Sequence, residues 1–161
     1  MKRMYLKNKQ ELKEAWPMIN QVLSRGEEFP IYPNGTSMLP LIRPGIDMVT
    51  LVLPNELKKD DIVLYKRATG QFVLHRLIKI NKKGLCTMFG DNQNALEFNI
   101  PLENILAKIK SLYRDDKLVD FSSKEYKKYV RGIHRRINRN KLPVFLSKVK
   151  YKILKSKSTS K

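Results

Sequence analysis

The residue with the clearest capacity for chemistry is a serine held in a proline-rich turn. The segment GTSMLPLIRPG spans residues 35–45 and places Ser37 two residues after a glycine. Prolines fix φ and remove backbone donors, so their density here predicts a rigid turn rather than a long regular element. Such a serine is either an ordinary surface residue or a nucleophile. The second interpretation requires a base elsewhere in the chain.

The elements that must position this serine begin with a helix and continue with β structure. Leu12, Trp16, Ile19 and Leu23 recur at helical spacing, with Gly26 as a stop and Pro17 as a point where the helix could kink or split. We therefore assign residues 1–29 to an N-terminal docking helix. Residues 30–112 form the next segment, with strands predicted at 48–53, 61–67, 71–80 and 85–89.

The predicted fold is mainly β, a small body of short bent strands with an N-terminal helix and a basic helical C-terminal tail. Strict alternation fails within residues 71–80, because Val73, His75, Leu77 and Ile80 do not share one face. A bulge or twist near His75 would resolve that conflict.

The composition argues against disulfide-bonded, metal-binding and membrane-spanning proteins. Of 161 residues only one is cysteine, Cys86, and two are histidine, so we expect no internal disulfide, no metal site and no cofactor. The longest run without Asp, Glu, Lys or Arg covers residues 29–42 and contains three prolines, which predicts no transmembrane helix. The N-terminus turns polar where a signal peptide would be apolar. We therefore expect a cytoplasmic protein.

The net charge of +18 is concentrated in the C-terminal tail, residues 113–161. Residues 111–161 contain sixteen Lys or Arg against four Asp or Glu. Ser122 and Glu125 form a cap signature, and two apolar stripes follow at helical spacing: Tyr126, Val130, Ile133 and Ile137, then Phe145, Val149 and Ile153. The first stripe could equally pack on the β body or bind at an interface. Lysines around the second favour peripheral binding to an anionic membrane surface, with nucleic acid as the alternative partner.

Four short motifs, taken together, resemble the signal peptidase and LexA-type serine peptidase superfamily. They are G-T-S-M-L-P at 35–40, D-D-I-V-L-Y at 60–65, H-R-L at 75–77 and G-D-N at 90–92, in this order. The resemblance covers roughly residues 30–110. Two features depart from the family: Asp60 stands where a glycine is frequent, and neither a membrane anchor nor a DNA-binding domain is recognised.

The resemblance implies that Ser37 is the nucleophile. Because the strand reads VLHRL, the chain is similar to the histidine branch of the superfamily, the endoplasmic-reticulum type, with His75 as the general base. Chemistry agrees with this assignment, since an imidazole can take the serine proton and return it to a leaving amine near neutral pH.

A carboxylate should orient the imidazole, and the resemblance offers two candidates. Asp91 of the G-D-N motif is expected to be needed for the site, and Glu97 is the possible triad carboxylate; which of them contacts His75 stays open. Asp91 could instead cap backbone amides, and Arg76 could pair with it or lie on the surface. Gly35 and the Ser37 amide could form an oxyanion site, and Met38 would shape the pocket wall or belong to the core.

The leading hypothesis is a serine endopeptidase with a Ser/His dyad or triad that cleaves a peptide or preprotein, as a signal peptidase does. The resemblance implies a preference for small residues before the cut. Two alternatives come from other classes: a peptidase-like module that binds an extended peptide without cleaving it, and a charge-driven nucleic-acid-binding protein.

Overall fold

The computed structural model describes residues 9–139 and confirms the mainly β fold. Eight strands and two helices are present in this part of the chain. Their bounds are α1 Lys9–Ser24, β1 Phe29–Ile31, β2 Met48–Val52, β3 Ile62–Lys66, β4 Phe72–Ile80, β5 Leu85–Phe89, β6 Glu97–Pro101, β7 Ile105–Arg114, β8 Lys117–Leu118 and α2 at 124–139. A single 3-10 turn, Leu102–Asn104, links β6 to β7.

The strands form one antiparallel sheet in the order β1, β2, β7, β3, β4, β5, β6, with β8 also paired to β7. The long strand β7 therefore joins the early strand β2 to the hairpins β3 to β6. This arrangement brings the start of the segment at residues 30–112 next to its middle. It is the reason that residues far apart in sequence can share a site.

Turn chemistry explains why the predicted strands end where they do. The β3–β4 hairpin closes through Gly70, whose φ of 81° is readily adopted only by glycine, and Arg67 and Gln71 are joined across it by a backbone hydrogen bond. The β4–β5 hairpin closes in the same way through Gly84, with φ of 72°. All four predicted strands are confirmed to within one residue at each end.

The predicted irregularity of β4 is confirmed and lies just beyond His75. Pairing between β4 and β5 shifts register between Leu77 and Lys79. Before the shift, His75, Arg76 and Leu77 are all buried, and after it Lys79 and Ile80 are exposed. The bulge thus ends the fully buried part of the strand.

Helix α1 is one continuous helix of 16 residues with Pro17 inside it, so the predicted split does not occur. Ile19 and Leu23 are completely buried, and the Trp16 ring lies 5.7 Å from the ring of Phe72 in β4. Gly26, with φ of 79°, donates its backbone N–H to Leu23 and ends the helix as predicted.

Residues up to Asp120 and residues from Phe121 form two separate compact units. The predicted boundary at 112/113 lies inside β7. In the second unit α2 begins at 124, and Ser123, not the predicted Ser122, caps it by accepting the Tyr126 N–H at 3.1 Å. The predicted second apolar stripe lies outside the described residues. Across residues 9–139, no helix has both the length and the apolar character needed to cross a membrane.

Candidate active site

Ser37 lies on a tight turn that follows β1 and is anchored by the core. The Leu39 N–H donates to the Thr36 carbonyl at 3.2 Å, and the Ile42 N–H donates to the Met38 carbonyl at 2.9 Å. Met38 and Ile42 are buried, whereas Ser37 itself is half-buried. The hydrophobic residues that follow the serine therefore hold its backbone while its hydroxyl stays accessible.

A buried carboxylate reinforces the far side of this turn. Asp47 is completely buried and bonds to Arg43 through both the backbone N–H and the guanidinium, at 2.6–2.9 Å. Arg114 from β7 approaches the same carboxylate and donates to the carbonyls of Pro40 and Leu41 at 2.8 and 2.6 Å. Burial raises the pKa of Asp47, but the bonds and charges of the two arginines outweigh burial and lower it.

His75 is completely buried in β4 and meets the Ser37 turn across Gly90. A Cβ atom on Gly90 would stand 2.9 Å from His75 Nε2 and 2.9 Å from the Ser37 carbonyl oxygen. Those two atoms therefore lie within twice that distance of each other. Only a residue without a side chain permits such an approach, which explains the glycine of the G-D-N motif.

The G-D-N loop also binds the serine turn directly. The backbone N–H of Asn92 donates to the Ser37 carbonyl at 2.8 Å, and its side-chain amide donates to the Thr36 carbonyl at 3.2 Å. Asn92 was not among the predicted site residues. Its role depends on contacts across 56 residues of sequence, for which local spacing carries no signal.

The structure answers which carboxylate contacts the imidazole. Glu97 Oε1 lies 3.4 Å from His75 Nδ1, and Glu97 is also bonded to the Arg67 guanidinium, with Nε at 2.9 Å. Burial raises the Glu97 pKa, but hydrogen bonds from Arg67 and Tyr65 outweigh burial and lower it. A negative charge is thus maintained beside the ring nitrogen remote from Gly90.

Asp91 is engaged elsewhere. It forms a two-point ion pair with Arg76, Nε to Oδ1 at 2.8 Å and Nη2 to Oδ2 at 2.6 Å, and both side chains are completely buried. Arg76 also donates to the Asp60 carbonyl at 3.0 Å. Asp60 has a φ of 76°, a left-handed conformation that glycine adopts more readily than other residues.

Tyr65 completes the surroundings of His75. Its hydroxyl is 3.0 Å from His75 Nδ1 and donates to Glu97 Oε2 at 2.9 Å. Tyr65 pairs with Val73 in the β3–β4 hairpin, so its side chain is on the same face as His75, two positions along. Neither Tyr65 nor Arg67 was predicted; the two-residue periodicity of the hairpin is the signal that could have identified Tyr65.

Ser37 and His75 line one cleft with a volume of about 860 Å³. Gly35 and Met38, the predicted oxyanion and pocket residues, also line it. Met38 is only 2% exposed, so it belongs to the cleft wall and the core at once. A Cβ on Gly35 would stand 4.0 Å from Ser37 Oγ, an ordinary contact distance, and its oxyanion role stays a prediction.

Most of the remaining cleft wall is apolar and includes the N-terminal helix. Leu12 of α1 lines it, together with residues from β1, β3 and β4: Ile31, Leu64, Phe72, Val73 and Leu74. The cleft thus combines one polar end, at Ser37 and His75, with an apolar floor. That is a general property of sites that bind an organic ligand.

Neither the protein-family models nor the curated proteins compared with this chain match it.

Proposed function

We propose that this chain is a serine-type endopeptidase that cleaves a peptide or preprotein by acyl transfer. The observation that carries the proposal is the convergence of Ser37, His75 and Glu97. The Ser37 carbonyl and His75 Nε2 approach each other across Gly90, both residues line one cleft, and a carboxylate lies 3.4 Å from the second ring nitrogen of the imidazole. This is the order of nucleophile, base and orienting acid that serine hydrolysis requires.

The proposed first step forms an ester on Ser37. Its Oγ attacks the scissile carbonyl carbon while its proton passes to His75 Nε2, and the carbonyl oxygen becomes an oxyanion. When the intermediate collapses, the carbon–nitrogen bond breaks and the imidazolium returns the proton to the leaving amine. Glu97 stabilises the imidazolium by its charge, and the backbone N–H groups of Gly35 and Ser37 are the proposed oxyanion donors.

The second step hydrolyses the ester. Water attacks the ester carbon, His75 takes one proton from it, and the same proton is returned to Ser37 Oγ as the carboxylic acid leaves. In both steps the transferred proton passes through the His75 imidazole, so the reaction needs only the side chains of this chain and water.

The test is covalent labelling by a serine-directed fluorophosphonate, followed by peptide mapping. We expect one adduct, on Ser37, and loss of both labelling and peptide cleavage in Ser37→Ala. Ser24→Ala is the matched control, because its hydroxyl is exposed and bonds only within the end of α1 to the Asn20 carbonyl. Cleavage that persists in Ser37→Ala would refute the assignment, and peptide binding without labelling would favour the non-cleaving module.

We further propose that the tail holds a cytoplasmic enzyme at an anionic membrane surface. The support is the excess of lysine and arginine after residue 110, alternating with apolar residues. Each such charge close to an anionic surface contributes on the order of 1 kcal/mol. Deleting residues 141–161 should abolish sedimentation with anionic liposomes and leave Ser37 labelling intact. Binding to nucleic acid with a steep salt dependence, without liposome binding, would contradict this proposal.

A further inference from the structure

The carboxylate in this site does not reach the imidazole in the usual way. The distance from Glu97 Oε1 to His75 Nδ1 is 3.4 Å, which is longer than an ordinary N–H···O hydrogen bond. Glu97 is instead held by Arg67 and by the Tyr65 hydroxyl, and that hydroxyl lies 3.0 Å from the same ring nitrogen. The tyrosine oxygen therefore stands between the acid and the base.

The hydrogen bonds of Glu97 and Tyr65 favour one tautomer of His75. The pKa of Glu97 is lowered despite burial, because Arg67 and Tyr65 donate hydrogen bonds to it, so its carboxylate only accepts hydrogen bonds. Burial, followed by the Glu97 hydrogen bond, raises the pKa of Tyr65, which keeps its proton. With its single proton donated to Glu97 Oε2, the Tyr65 oxygen can pair with His75 Nδ1, 3.0 Å away, only by accepting a proton from that nitrogen.

We propose that Tyr65 is a positioning residue that holds His75 in the Nδ1–H tautomer by linking it to Glu97. The inference rests on the proposed function, since only a base with its free electron pair on Nε2 can receive the Ser37 proton. Nε2 is the ring nitrogen that faces Gly90 and the Ser37 carbonyl. The hydroxyl acts through His75 and touches no substrate.

The surrounding charges favour this linkage over direct contact. Arg67 binds both oxygens of Glu97 and fixes the carboxylate where it is. Tyr65 is completely buried in β3, so its ring cannot swing away from the imidazole. Tyr65 from β3 and Glu97 from β6 are ionisable groups beside His75 Nδ1, and Arg67 is bonded to Glu97. If the hydroxyl is removed, Glu97 remains too far from Nδ1 to replace it without moving.

The tautomer can be measured without knowing the substrate. In full-length protein carrying His134→Gln and ¹⁵N-labelled histidine, long-range ¹H–¹⁵N correlation reports His75 alone. Above neutral pH we expect the Nδ1–H form in otherwise native protein and a substantial Nε2–H population in Tyr65→Phe. An Nε2–H ring in the native protein, or an unchanged Nδ1–H ring in Tyr65→Phe, would overturn the inference. If Tyr65→Phe does not fold, the native spectrum alone decides.

Labelling of Ser37 by fluorophosphonate separates this inference from the proposed function. Tyr65→Phe should lower the labelling rate constant by up to about 10²-fold and alter its pH profile, because a base in the wrong tautomer forfeits much of general-base catalysis. Tyr113→Phe is the matched control, since Tyr113 is a strand tyrosine of β7 that pairs with β2 and β8 and not with β4. Labelling that Tyr65→Phe leaves unchanged refutes the tyrosine role but keeps the peptidase. An unlabelled native protein with the predicted tautomer change refutes the peptidase but keeps the linkage.

Discussion

Asp91 belongs to the G-D-N motif and Glu97 follows it five residues after Asn92, yet the structure places the two carboxylates in different surroundings. Asp91 and Arg76 are both completely buried and satisfy each other through two hydrogen bonds. Glu97 is 22% exposed and is shared among Arg67, Tyr65 and His75. A carboxylate whose oxygens are taken up by one arginine stabilises the loop, whereas one that keeps a contact with imidazole can support chemistry. Position in a motif does not distinguish the two.

The largest change in stability should come from breaking the buried ion pair between Asp91 and Arg76. Asp91→Asn leaves the Arg76 charge buried without a counter-charge, and we expect a loss of about 3–5 kcal/mol in the free energy of unfolding. Chemical denaturation measures this. The control is Asp61→Asn, whose partner Lys108 lies 3.8 Å away at the surface and which should lose less than about 1 kcal/mol.

The same Asp91 variant tests the difference between the two carboxylates when its reaction with fluorophosphonate is also measured. Where the variant is still folded, we expect fluorophosphonate to react with Ser37 at close to the native rate, because both Asp91 oxygens bond to Arg76, whereas Glu97 lies beside the imidazole. A folded Asp91→Asn protein that has lost labelling would show that Asp91 serves the chemistry and does not differ from Glu97 in role.

Glu97→Gln should show the reverse pattern. It removes the charge that stabilises the imidazolium, so we expect the labelling rate of Ser37 to fall by roughly 10²–10³-fold, equivalent to about 2.7–4 kcal/mol in activation free energy. The free energy of unfolding should change by only about 1 kcal/mol, since the pair with Arg67 is partly solvated. A variant that loses stability but labels normally would make Glu97 a structural residue like Asp91.

The smallest expected effect is on the acid dependence of stability. The pKa of Glu97 is lowered in the folded protein from 4.5, so its contribution to stability is complete above that value and is lost as the pH falls through the folded pKa. The pKa of Asp47 is likewise lowered from its ordinary value of 3.8, so its contribution to stability is also lost in acid. Native protein should therefore lose stability as the pH falls below the ordinary Glu97 pKa of 4.5, and Glu97→Gln should lose less over the same range. Equal slopes in denaturation at stepped pH would contradict the Glu97 environment.

Local pattern predicted much of the fold and less of the site. The strands β2 to β5 were predictable because alternating apolar residues are bounded by turns that need Gly70 and Gly84. Strand β1 escaped prediction because it has three residues with a proline at its centre, and β6 because none of its five residues is buried. Ser37 and His75 could be proposed from motifs. The hairpin periodicity could place Tyr65 on the face of His75, but its bond to Glu97 joins residues 32 positions apart and has no local signal.

The central claim is that His75 activates Ser37, and the most direct measurement is the rate of fluorophosphonate labelling in native protein and in His75→Gln, with the adduct mapped by mass spectrometry. The native protein should carry the adduct on Ser37 alone, and the rate should fall with acid as an imidazole takes up its proton between about pH 8 and 5. His75→Gln should lose about 10²–10⁴-fold of that rate. An adduct on another residue, or a His75→Gln protein that labels at the native rate, would contradict the account.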